Sequence, residues 1–585
     1  RDTDMMKDIS KLLVVVRPEE TLDAAFRRMS HESKEVLHPG VAAIINNNEE
    51  LLGIITDGDL RRAYARDVSF DSTVSEEMIS KPVVLPASMS KDEIVREVHK
   101  RVKKSGNEKL GWLRHILLVD ELGRLTDVQD FFELLLNQGS VEKDVAIFGM
   151  GYVGLTLAVS LATRGHQVIG LDISSDLIKN LRSGEPHIHE PGLREMLRAV
   201  LNRKKIDFYS DLKDLQPNVF IIAVGTPLDK NSEPDLSALN QVTKAIGSVL
   251  NKGDIVMLRS TVPVGTTRKI VIPQLERLSG LIVGESFNVA FAPERTIIGN
   301  AMQELRTLPQ IVGGLTENCK QKAAQFWTTM TSTIVQVDSL EAAELVKLAN
   351  NTFRDLSFAF ANELAMHCDE YNIDAFKIIM AANEGYTRNP IALPSPGVGG
   401  YCLTKDPILL GYTATGPNPK AILGAVGRSI NEKAALYPIE IVKCYSAKIG
   451  KRLSDFSVLI VGVAFKGVPD TTDVRGSVTI DVAGALRGLV ARIVAWDAVV
   501  PHGIIKSLGM ETADSLDEAI EEADAVLILN NHPDNIDSEA YITSTKRRLI
   551  FDGWHQFIAA EIEKIPLQSY ATMGYLSVSE IEKAN

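Results

Sequence analysis

A cysteine inside a loop of glycines and prolines has the surroundings that most strongly suggest chemistry in this sequence. The loop reads Ser395-Pro-Gly-Val-Gly-Gly-Tyr-Cys402 and continues through Leu-Thr-Lys405 to Asp406. Such a segment lacks the apolar packing that buries an inert cysteine, and a nearby lysine favours the thiolate, which is the nucleophilic form. Cys402 is therefore predicted to react as a nucleophile.

The other cysteines and the histidines show no comparable setting. The remaining three cysteines have no CxxC or metal-ligand spacing and are interpreted as reduced packing residues: Cys319, Cys368 and Cys444. The histidines, including His187 and His189, show no metal-ligand pattern either. No metal is predicted, and reduced thiols favour a cytoplasmic location.

A lysine and an asparagine are spaced to share one face of a long predicted helix. The helix is expected over Ser339–Tyr371, and Lys347 and Asn351 lie four residues apart within it. An ammonium and an amide side by side suit a substrate oxygen that becomes negative during a reaction. On their own, the two residues are equally typical of a solvated helix face.

A glycine-rich turn indicates a dinucleotide site. The predicted buried strand Val145–Phe148 runs into Gly149-Met-Gly151-Tyr152-Val153-Gly154, and a helical pattern follows. The glycines allow a tight turn, close approach of the pyrophosphate and packing of helix on strand, while the helix N-terminus offers amide donors. A second strand ends at Asp172, whose carboxylate accepts bonds from ribose hydroxyls and repels a 2′-phosphate. The predicted cofactor is NAD rather than NADP.

Three further turns follow predicted strands: Gly225-Thr226-Pro227, Ser260-Thr261-Val-Pro263 and Ala292-Pro-Glu294-Arg295. Ligands of open α/β sheets bind at the carboxyl ends of the strands, so these turns are expected to border the same cleft as the dinucleotide turn.

The elements that must position these residues follow from length and pattern. The chain has 585 residues, which is too long for one hydrophobic core. Strand–helix alternation, typical of a parallel sheet, runs from Val145 to about Val337 and returns after Phe456. The stretch between is mainly helical apart from the loop Gly385–Cys402.

Composition excludes several classes of partner. The net charge of −13 and the pI of about 5.5 argue against nucleic acid. No apolar run reaches the roughly 18 to 20 residues of a membrane helix, and the N-terminal stretch does not resemble a signal peptide. No nucleic-acid or membrane partner is predicted.

Taken together, these motifs resemble the UDP-glucose/GDP-mannose dehydrogenase family over about Val145–Lys583. The stretches that carry the likeness, in one order, are Gly149–Gly154, Val224–Pro227, Ser260–Gly265, Phe291–Arg295, Lys347–Asn351, Gly397–Asp406 and Val461-Gly-Val-Ala-Phe-Lys-Gly467. The resemblance implies an NAD-binding domain, a dimerising central helix and a C-terminal domain that holds the nucleotide of a nucleotide sugar.

The resemblance also implies roles for single residues. Cys402 would capture the C6 aldehyde of the sugar and carry it to a thioester, Lys347 and Asn351 would hold the oxyanion, and Asp406 would work with the catalytic lysine and water. Thr261 and Glu294 would position the hydrolytic water, although a structural role for Glu294 is the alternative. The expected cofactor residues are Gly149, Gly151, Tyr152, Val153, Gly154, Asp172, Thr226 and Thr261.

The expected substrate residues come from the same likeness. Phe465 and Lys466 would contact the nucleotide, with Lys466 offering charge to the pyrophosphate. The full predicted set is Arg354, Gly399, Phe465, Lys466 and Arg475. The sequence Asp552-Gly-Trp-His555 departs from the arginine-bearing turn of the glucose branch, which leaves the base and sugar contacts open.

The choice of sugar rests on finer features. Asn351-Thr-Phe-Arg354-Asp355 resembles the branch that acts on UDP-N-acetylhexosamines, and Ile298 stands where the UDP-glucose branch typically has a second glutamate. Arg354 would reach the N-acetyl or diphosphate region. Thr404 replaces the usual proline after Cys-Leu, and Leu177 stands where a basic residue often helps to hold the adenosine ribose.

The N-terminal segment, up to about position 140, resembles a pair of CBS domains. Gly53-Ile-Ile-Thr56-Asp-Gly-Asp59 looks like the CBS signature, in which the threonine approaches phosphate and the aspartate holds ribose hydroxyls. A degenerate copy follows, with Asp130 expected as the counterpart of Asp59, so the repeat offset is 71 (130 minus 59). Such pairs commonly bind adenine nucleotides, and the alternative is a purely structural or dimerising pair.

The predicted fold is therefore α/β, with two Rossmann-like doubly wound domains joined by a central helical region and preceded by a CBS domain pair (α+β). The expected domains are residues 1–140 (CBS pair), 145–337 (NAD binding), 338–450 (central helices with the cysteine loop) and 455–585 (nucleotide-sugar binding). A homodimer or higher homo-oligomer is expected.

The favoured activity is four-electron oxidation of a nucleotide sugar, supplying uronic acid donors for cell-surface polysaccharide. UDP-glucose and GDP-mannose are alternative substrates. One rival is a two-electron hydroxy-acid or sugar-phosphate dehydrogenase, which needs no cysteine loop and yields one NADH rather than two. A second rival is a non-catalytic nucleotide sensor.

The assignment of Asp172 predicts a change in cofactor preference. Wild-type protein should strongly prefer NAD. Asp172→Ala should reduce the ratio of kcat/KM with NAD to kcat/KM with NADP by about 10- to 100-fold, because bonds to a charged group contribute about 1.5 to 3 kcal/mol. Steady-state kcat/KM for both cofactors measures this preference, with Asp176→Ala as the matched control. Equal rates with both cofactors in the wild type would contradict the prediction.

Overall fold

The computed structural model describes residues 12–31, 36, 41–56, 59–60, 63, 66, 68–80, 82, 84–90, 93–94, 97, 115–130, 144–212, 215–371, 373–543, 546–562 and 564–576. The chain divides into two compact units, residues 1–141 and 142–585. The polar sequence Asn137-Gln-Gly-Ser-Val-Glu-Lys-Asp144 predicts a joint between domains, and most of it lies outside the described residues.

The first unit contains one three-stranded arrangement twice. In each copy the first strand runs parallel to the second, and the second runs antiparallel to the third. Helices Leu22–His31 and Val74–Glu77 accompany the first copy. The strands are β1 (Val14–Val16), β2 (Val41–Ile45), β3 (Leu51–Thr56), β4 (Val84–Pro86), β5 (His115–Val119) and β6 (Leu125–Asp130).

The register of the two copies corrects the predicted repeat. β2 begins at Val41 and β5 at His115, so the offset is 74 (115 minus 41). Both pairs of strands also carry a register shift at matching positions. The expected offset of 71 is therefore wrong, and Asp130 is the counterpart of Thr56, since each ends the third strand of its copy. The counterpart of Asp59, at position 133, lies outside the described residues.

The second unit begins with an eight-stranded sheet of order β14-β13-β12-β11-β10-β7-β8-β9. Neighbouring strands are parallel except at the β12–β13 pair. The chain crosses from β9 to β10 on the far side of β7, which creates a topological switch point next to the dinucleotide turn. The strands are β7 (Asp144–Phe148), β8 (Gln167–Leu171), β9 (Ile206–Tyr209), β10 (Val219–Ile222), β11 (Ile255–Leu258), β12 (Asn288–Phe291), β13 (Gln310–Gly314) and β14 (Ile334–Val337).

Both faces of this sheet are covered, so its central strands are apolar throughout. Every residue of β10, Val-Phe-Ile-Ile, is buried, as expected for a parallel strand with helices on either side. The helices are Tyr152–Thr163, Ser175–Arg182, Leu193–Asn202, Ser237–Gly247, Ile272–Ser279, Ala301–Thr307 and Glu317–Trp327, with a π-helical turn at Thr267–Val271.

A 31-residue central helix, Leu340–Glu370, joins this sheet to the rest of the unit. The Ser339 hydroxyl caps it by accepting a bond from the Ala342 amide, which satisfies one of the unpaired donors of the first turn. The remaining elements of the region are the helices Ala375–Asn383, Asp406–Leu410 and Leu423–Ile449, and a short hairpin of β15 (Tyr412–Thr413) and β16 (Gly416–Pro417).

Buried polar groups fasten the two long helices to each other. Asp355 forms an ion pair with Arg428 (Oδ1–Nη1 2.9 Å) and accepts a bond from Asn431 Nδ2 (2.9 Å). The same Arg428 nitrogen donates to the Val398 carbonyl (3.2 Å), inside the glycine-rich loop. Asn362 accepts the Ser395 amide at the start of that loop (2.8 Å). The helices thus fix the loop that carries Cys402.

A second doubly wound sheet of seven strands closes the unit, in the order β19-β18-β17-β20-β21-β22-β23. Only the β22–β23 pair is antiparallel. β20 lies next to β17 in this sheet as β10 lies next to β7 in the first. The strands are β17 (Ser457–Val461), β18 (Arg492–Trp496), β19 (Glu511–Thr512), β20 (Ala525–Ile528), β21 (Arg548–Asp552), β22 (Gln568–Thr572) and β23 (Tyr575–Leu576).

Short helices cover this second sheet: Val478–Leu486, His502–Ser507, Leu516–Glu522, Ala540–Thr543 and Ala559–Ile562. The predicted α/β class with two Rossmann-like sheets and a central helical region is confirmed. Among all the helices that the structure describes, none combines the length and the apolar character needed to cross a bilayer.

Candidate active site

The dinucleotide turn has the geometry that its glycines predict. Gly149 adopts φ +90°, a conformation that favours glycine. A Cβ on Gly154 would lie 1.8 Å from the Gly149 carbonyl oxygen, so the helix can approach the strand only with glycine there. A Cβ on Gly151 would meet nothing within 4 Å, and the exposed turn next to Tyr152 and Val153 is therefore accessible to a pyrophosphate. The turn fits NAD.

Asp172 lies beside this turn at the end of β8. Its Oδ2 accepts a bond from the Met150 amide (2.8 Å) and its Oδ1 accepts the Ser174 amide (3.0 Å). These bonds fix the carboxylate next to the glycine turn, where it can also accept bonds from ribose hydroxyls.

Tyr152 connects the same turn to a more distant loop. Its hydroxyl donates to Glu190 and accepts the Gly299 amide (2.9 Å), and Glu190 also accepts that amide (2.8 Å). Burial raises the pKa of Tyr152, and the bond to Glu190 raises it further. The hydroxyl of this predicted cofactor residue is thus bonded to protein groups. The sequence analysis did not identify Glu190.

The turns after β10 and β11 are bonded to each other. Thr226 is buried, and its hydroxyl donates to the Thr261 carbonyl (2.5 Å). The Ser260 hydroxyl donates back to the Val224 carbonyl (2.7 Å). Glu344 of the central helix accepts the amides of Gly265 and Thr267 just beyond. Both turns are therefore held against the central helix.

The cysteine loop packs closely on the C-terminal domain. The Gly400 amide donates to the Gly476 carbonyl (3.0 Å), and a Cβ on Gly399 would lie 2.6 Å from that oxygen. A Cβ on Gly400, at φ +93°, would lie 2.7 Å from the ring of Phe465. Glycines are thus required where the loop meets this domain, and Cys402 remains exposed at its end.

Asp406 is fully buried beneath Cys402. Its Oδ1 forms an ion pair with Lys405 Nζ (2.6 Å), and its Oδ2 accepts a bond from Asn351 Nδ2 (2.6 Å). The predicted partner of Asp406 was the catalytic lysine, whereas the lysine that it contacts is its neighbour Lys405. The structure brings Asn351, Asp406 and Cys402 together as expected.

Lys347 directs its charge into the same site. The side chain is buried on the central helix, and within the described part of the chain it makes no ion pair or side-chain hydrogen bond. Its charge acts on both Cys402 and Glu294. An ammonium left without such a partner is available to an anionic substrate oxygen.

The thiol of Cys402 is not activated in the way the sequence suggests. Although the residue reaches the surface, the protein packed around its sulfur desolvates the thiolate and raises the pKa, and the negative charge of Asp406 raises it further. The pKa is lowered by the positive charges of Lys347, Lys405 and Arg475. Their combined effect is smaller than that of burial and Asp406, so the pKa of Cys402 lies above its ordinary value. Lys405 does favour the thiolate, as the sequence predicts, but burial of the sulfur and the charge of Asp406 outweigh this effect.

Glu294 is held by four donors. Arg259 donates to its Oε2 from Nη2 (2.5 Å) and Nε (3.1 Å), and the amides of Arg295 and Thr296 donate to its Oε1 (2.6 and 2.7 Å). Burial alone raises the pKa of Glu294, but Arg259, the Thr296 amide and Lys347 together keep it below the ordinary value. Arg259 follows a buried strand directly, but neither a motif nor its spacing predicts its contact with Glu294.

Three cations lie around the loop that follows β17. Lys466 Nζ donates to the Ile298 carbonyl. Burial lowers the pKa of Lys466 to about 8, and the nearby charge of Arg354 contributes. Arg475 lies 5.0 Å from the centre of the Tyr401 ring, next to Cys402, and is paired with Asp473. Cations that repel one another in this way favour a multiply charged anion between them.

The turn Asp552–His555 is rigid and packs on the central region. Asp552 accepts bonds from the Trp554 and Phe557 amides and the Tyr570 hydroxyl. His555 adopts φ +52° and stacks on Phe376 (4.5 Å between ring centres).

The remaining cysteines divide into two kinds. Cys319 and Cys368 are buried, as a packing role requires, whereas Cys444 is exposed, which corrects the prediction for that residue. In the first unit, Asp59 Oδ2 accepts bonds from the Thr56 amide (2.9 Å) and hydroxyl (2.6 Å), so the two residues of the CBS-like signature are in contact.

Two Rossmann-like domains flank a central helix that carries a lysine and an asparagine and a loop that carries a cysteine, and this arrangement is typical of a dehydrogenase. Three models of the UDP-glucose/GDP-mannose dehydrogenase family match the chain: the NAD binding domain at 143–331, the central domain at 341–433 and the UDP binding domain at 459–558. A CBS domain model matches residues 5–66.

Known proteins agree with these matches. The UDP-N-acetyl-D-mannosamine dehydrogenase of Pyrococcus horikoshii is 34% identical over 414 residues, covering 70% of this chain and 94% of that protein. The NDP-N-acetyl-D-galactosaminuronic acid dehydrogenase of Ralstonia solanacearum is 32% identical, covering 67% and 91%. The solved P. horikoshii structure covers 74% of this chain and 99% of its own, with a TM-score of 0.66 and 33% identity.

The chain belongs to the UDP-glucose/GDP-mannose dehydrogenase family. It is an NAD-dependent oxidoreductase with a CBS domain at its N-terminus.

The environment of Cys402 predicts how its thiol titrates. In the ligand-free protein, the midpoint of alkylation by iodoacetamide should lie above the ordinary value for cysteine, and Lys347→Gln should raise it further because a stabilising positive charge is removed. The measurement uses a Cys444→Ser background, since Cys444 is exposed, with Lys443→Gln as the control. A midpoint below the ordinary value would contradict the prediction.

Proposed function

We propose that this protein oxidises the C6 hydroxyl of a UDP-N-acetylhexosamine to a carboxylate through a thioester on Cys402. The observation that carries the proposal is a cluster on the central helix and the loop that lie between the two Rossmann-like domains in the chain. It consists of an exposed thiol, the Asn351–Asp406 pair and a buried ammonium, that of Lys347, with no ion-pair partner among the described residues. A two-electron dehydrogenase needs no nucleophile at this position.

Bound NAD supplies the hydride acceptor for each of the two oxidations. The Cys402 sulfur adds to the C6 aldehyde of the sugar, the thiol proton leaves, and the new C–S bond gives a thiohemiacetal. Oxidation of that carbon gives the thioester. Water then attacks the carbonyl, the C–S bond breaks, and the thiol is regenerated with the acid. One alcohol, one water and two NAD⁺ become one carboxylate, two NADH and three protons.

Lys347 and Asn351 would stabilise the oxygen that becomes negative when sulfur or water adds to the carbonyl. Asn351 has two amide protons, and one is engaged with Asp406, so the other is available to the substrate. Loss of one such donor in other enzymes costs ~10²–10³ in rate. The raised pKa of Cys402 means that a base must accept the thiol proton as the C–S bond forms.

The nucleotide diphosphate would lie near Lys466, Arg354 and Arg475. Support comes from the match to a UDP binding domain and from the mutual repulsion of Lys466 and Arg354. Relatives named for N-acetyl-D-mannosamine and N-acetyl-D-galactosaminuronic acid favour an N-acetylhexosamine over glucose. UDP-glucose and GDP-mannose are the alternatives that the substrate test includes.

Product stoichiometry tests the proposal. Wild-type protein with NAD and a panel of UDP-N-acetylhexosamines, UDP-glucose and GDP-mannose should form two NADH per sugar and a uronate with one of the first group. Cys402→Ala should abolish uronate formation while NAD and sugar binding persist, and Cys444→Ser is the matched control. Uronate production at the wild-type rate by Cys402→Ala would sink the thioester mechanism.

The first unit, which carries the CBS domain, is proposed to bind an adenine nucleotide and to modulate the dehydrogenase. Thr56 and Asp59 lie together at the end of β3, where they suit phosphate and ribose, respectively. A regulator acts only if its ligand binds one conformational state better than another, and typical coupling is about 5- to 150-fold in affinity.

Calorimetry on the full chain with AMP, ADP and ATP tests this role. Binding should weaken in Asp59→Ala, because ribose acceptors contribute about 1.5 to 3 kcal/mol, and should be unchanged in Asp71→Ala, an exposed aspartate of the same unit. Identical binding by the wild type and Asp59→Ala would place the nucleotide elsewhere, and no binding would leave the unit as an assembly element.

A homodimer or higher homo-oligomer is also proposed. Phe353 and Phe360 lie two turns apart on one face of the central helix and are 75% and 55% exposed. Leu423 and Val426, at the start of the second long helix, are exposed as well. Large apolar side chains clustered on a surface typically mark a protein–protein contact.

A further inference from the structure

Arg259 lies directly after β11 and is buried together with the side chains that surround it. Only 3% of its surface is exposed. Beyond its two bonds to Glu294, its Nη1 donates to the Ala292 carbonyl (3.1 Å) and to Gln310 Oε1 (2.9 Å). Its guanidinium lies 4.6 Å from the centre of the Trp327 ring. A guanidinium held on so many sides has one orientation.

This arrangement determines the state of Glu294. Two guanidinium bonds on one oxygen and two backbone amides on the other engage both oxygens and stabilise the anion. Three charged or titratable groups interact with Glu294: Arg259, Lys347 on the central helix, and Tyr152 at the start of the helix that follows the dinucleotide turn. A carboxylate bound in this way is a poor proton acceptor and is ionised at neutral pH.

That negative charge attracts the ammonium of Lys347. Lys347 has no ion-pair partner among the described residues, and its positive charge helps to keep the Glu294 carboxylate ionised. The charge of Lys347 also acts on Cys402. Glu294 therefore affects catalysis through the lysine and not through proton transfer of its own.

We infer that Arg259 is a positioning residue for the proposed oxidation: it fixes Glu294 as an oriented anion whose charge attracts the Lys347 ammonium beside Cys402. The inference rests on the proposed function for its kinetic consequences. It also reassigns Glu294 from water positioning to charge support, because all four of the donors described above converge on its two oxygens.

Kinetics of Arg259→Gln give the first test. The value of kcat should fall by up to about 10²-fold, as expected when a reacting group is misplaced, while KM for the sugar changes little. Without the guanidinium, burial raises the pKa of Glu294. The loss of kcat relative to the wild type should therefore grow as the pH falls through the acid range. In Glu294→Gln the deficit should not depend on pH, and adding Arg259→Gln to it should cause little further loss.

Two comparisons separate positioning from general loss of structure. Arg259→Lys keeps the charge and should retain most of the activity. Arg268→Gln removes the exposed Arg268–Glu341 pair of the same domain and should leave kcat and its pH profile unchanged. The inference would be overturned if Arg259→Gln lost the same fraction of kcat at every pH and if this loss were additive with that of Glu294→Gln.

Stability provides a readout that needs no activity. Because the pKa of Glu294 is lowered in the folded wild type, its charge contributes stability above the ordinary value of 4.5, and that stability is lost as the pH falls. The unfolding temperature of Arg259→Gln should therefore fall further below that of the wild type as the pH rises from 4 to about 7. The double variant should be more stable than either single variant, since an unpaired buried charge costs more than a neutral pair.

The kinetic and stability measurements together distinguish failure of the proposed function from failure of the inference. A wild-type protein inactive on every nucleotide sugar would contradict the proposed function, and the stability measurement would still decide whether Arg259 sets the charge of Glu294. A pH-independent stability difference, with additive single variants, would show that Arg259 does not control Glu294 and would refute the inference by itself.

Discussion

The ion pair between Asp355 and Arg428 is the constraint on which the arrangement of the site depends. It joins the two long helices in a fully buried environment, and the same guanidinium holds the Val398 carbonyl of the cysteine loop. Removing one partner of a buried pair leaves an uncompensated charge and typically costs about 3 to 5 kcal/mol. The loop would then lose the anchor that sets the distance between Cys402 and the face bearing Lys347 and Asn351.

From this anchor the other contacts of the site follow in sequence. The loop passes over the C-terminal domain where glycines permit it, at Gly399 and Gly400, and ends in the turn that buries Asp406. The first Rossmann-like domain meets the central helix through the turn after β11, which Glu344 holds and which is bonded to the turn after β10. The central helix carries Lys347 and Asn351, and the loop with Cys402 lies beside it, joined to it by the bond between Asn351 and Asp406.

Local pattern was sufficient to predict the dinucleotide turn, the long helix and the duplicated α/β unit, because strand, helix and glycine signals extend over only a few residues. It was insufficient for groups whose roles arise from tertiary contact. Arg259, Glu190 and the Asp355–Arg428 pair carry no signature in spacing, and the sign of the shift at Cys402 depends on a balance between burial and four charges. The predicted repeat offset was wrong for a different reason. It was obtained by matching similar residue types, whereas the two copies are defined by the register of their strands.

The contact between Lys466 and Ile298 uses only the main chain of Ile298. Lys466 of the nucleotide-sugar domain bonds the carbonyl of Ile298, and the next amide, that of Gly299, bonds Tyr152 of the dinucleotide turn. A peptide group offers the same carbonyl whatever side chain it carries. The side chain at position 298 can therefore change without loss of the bond to Lys466. Variation of this side chain and persistence of the link between the two Rossmann-like domains are, at this residue, separable traits.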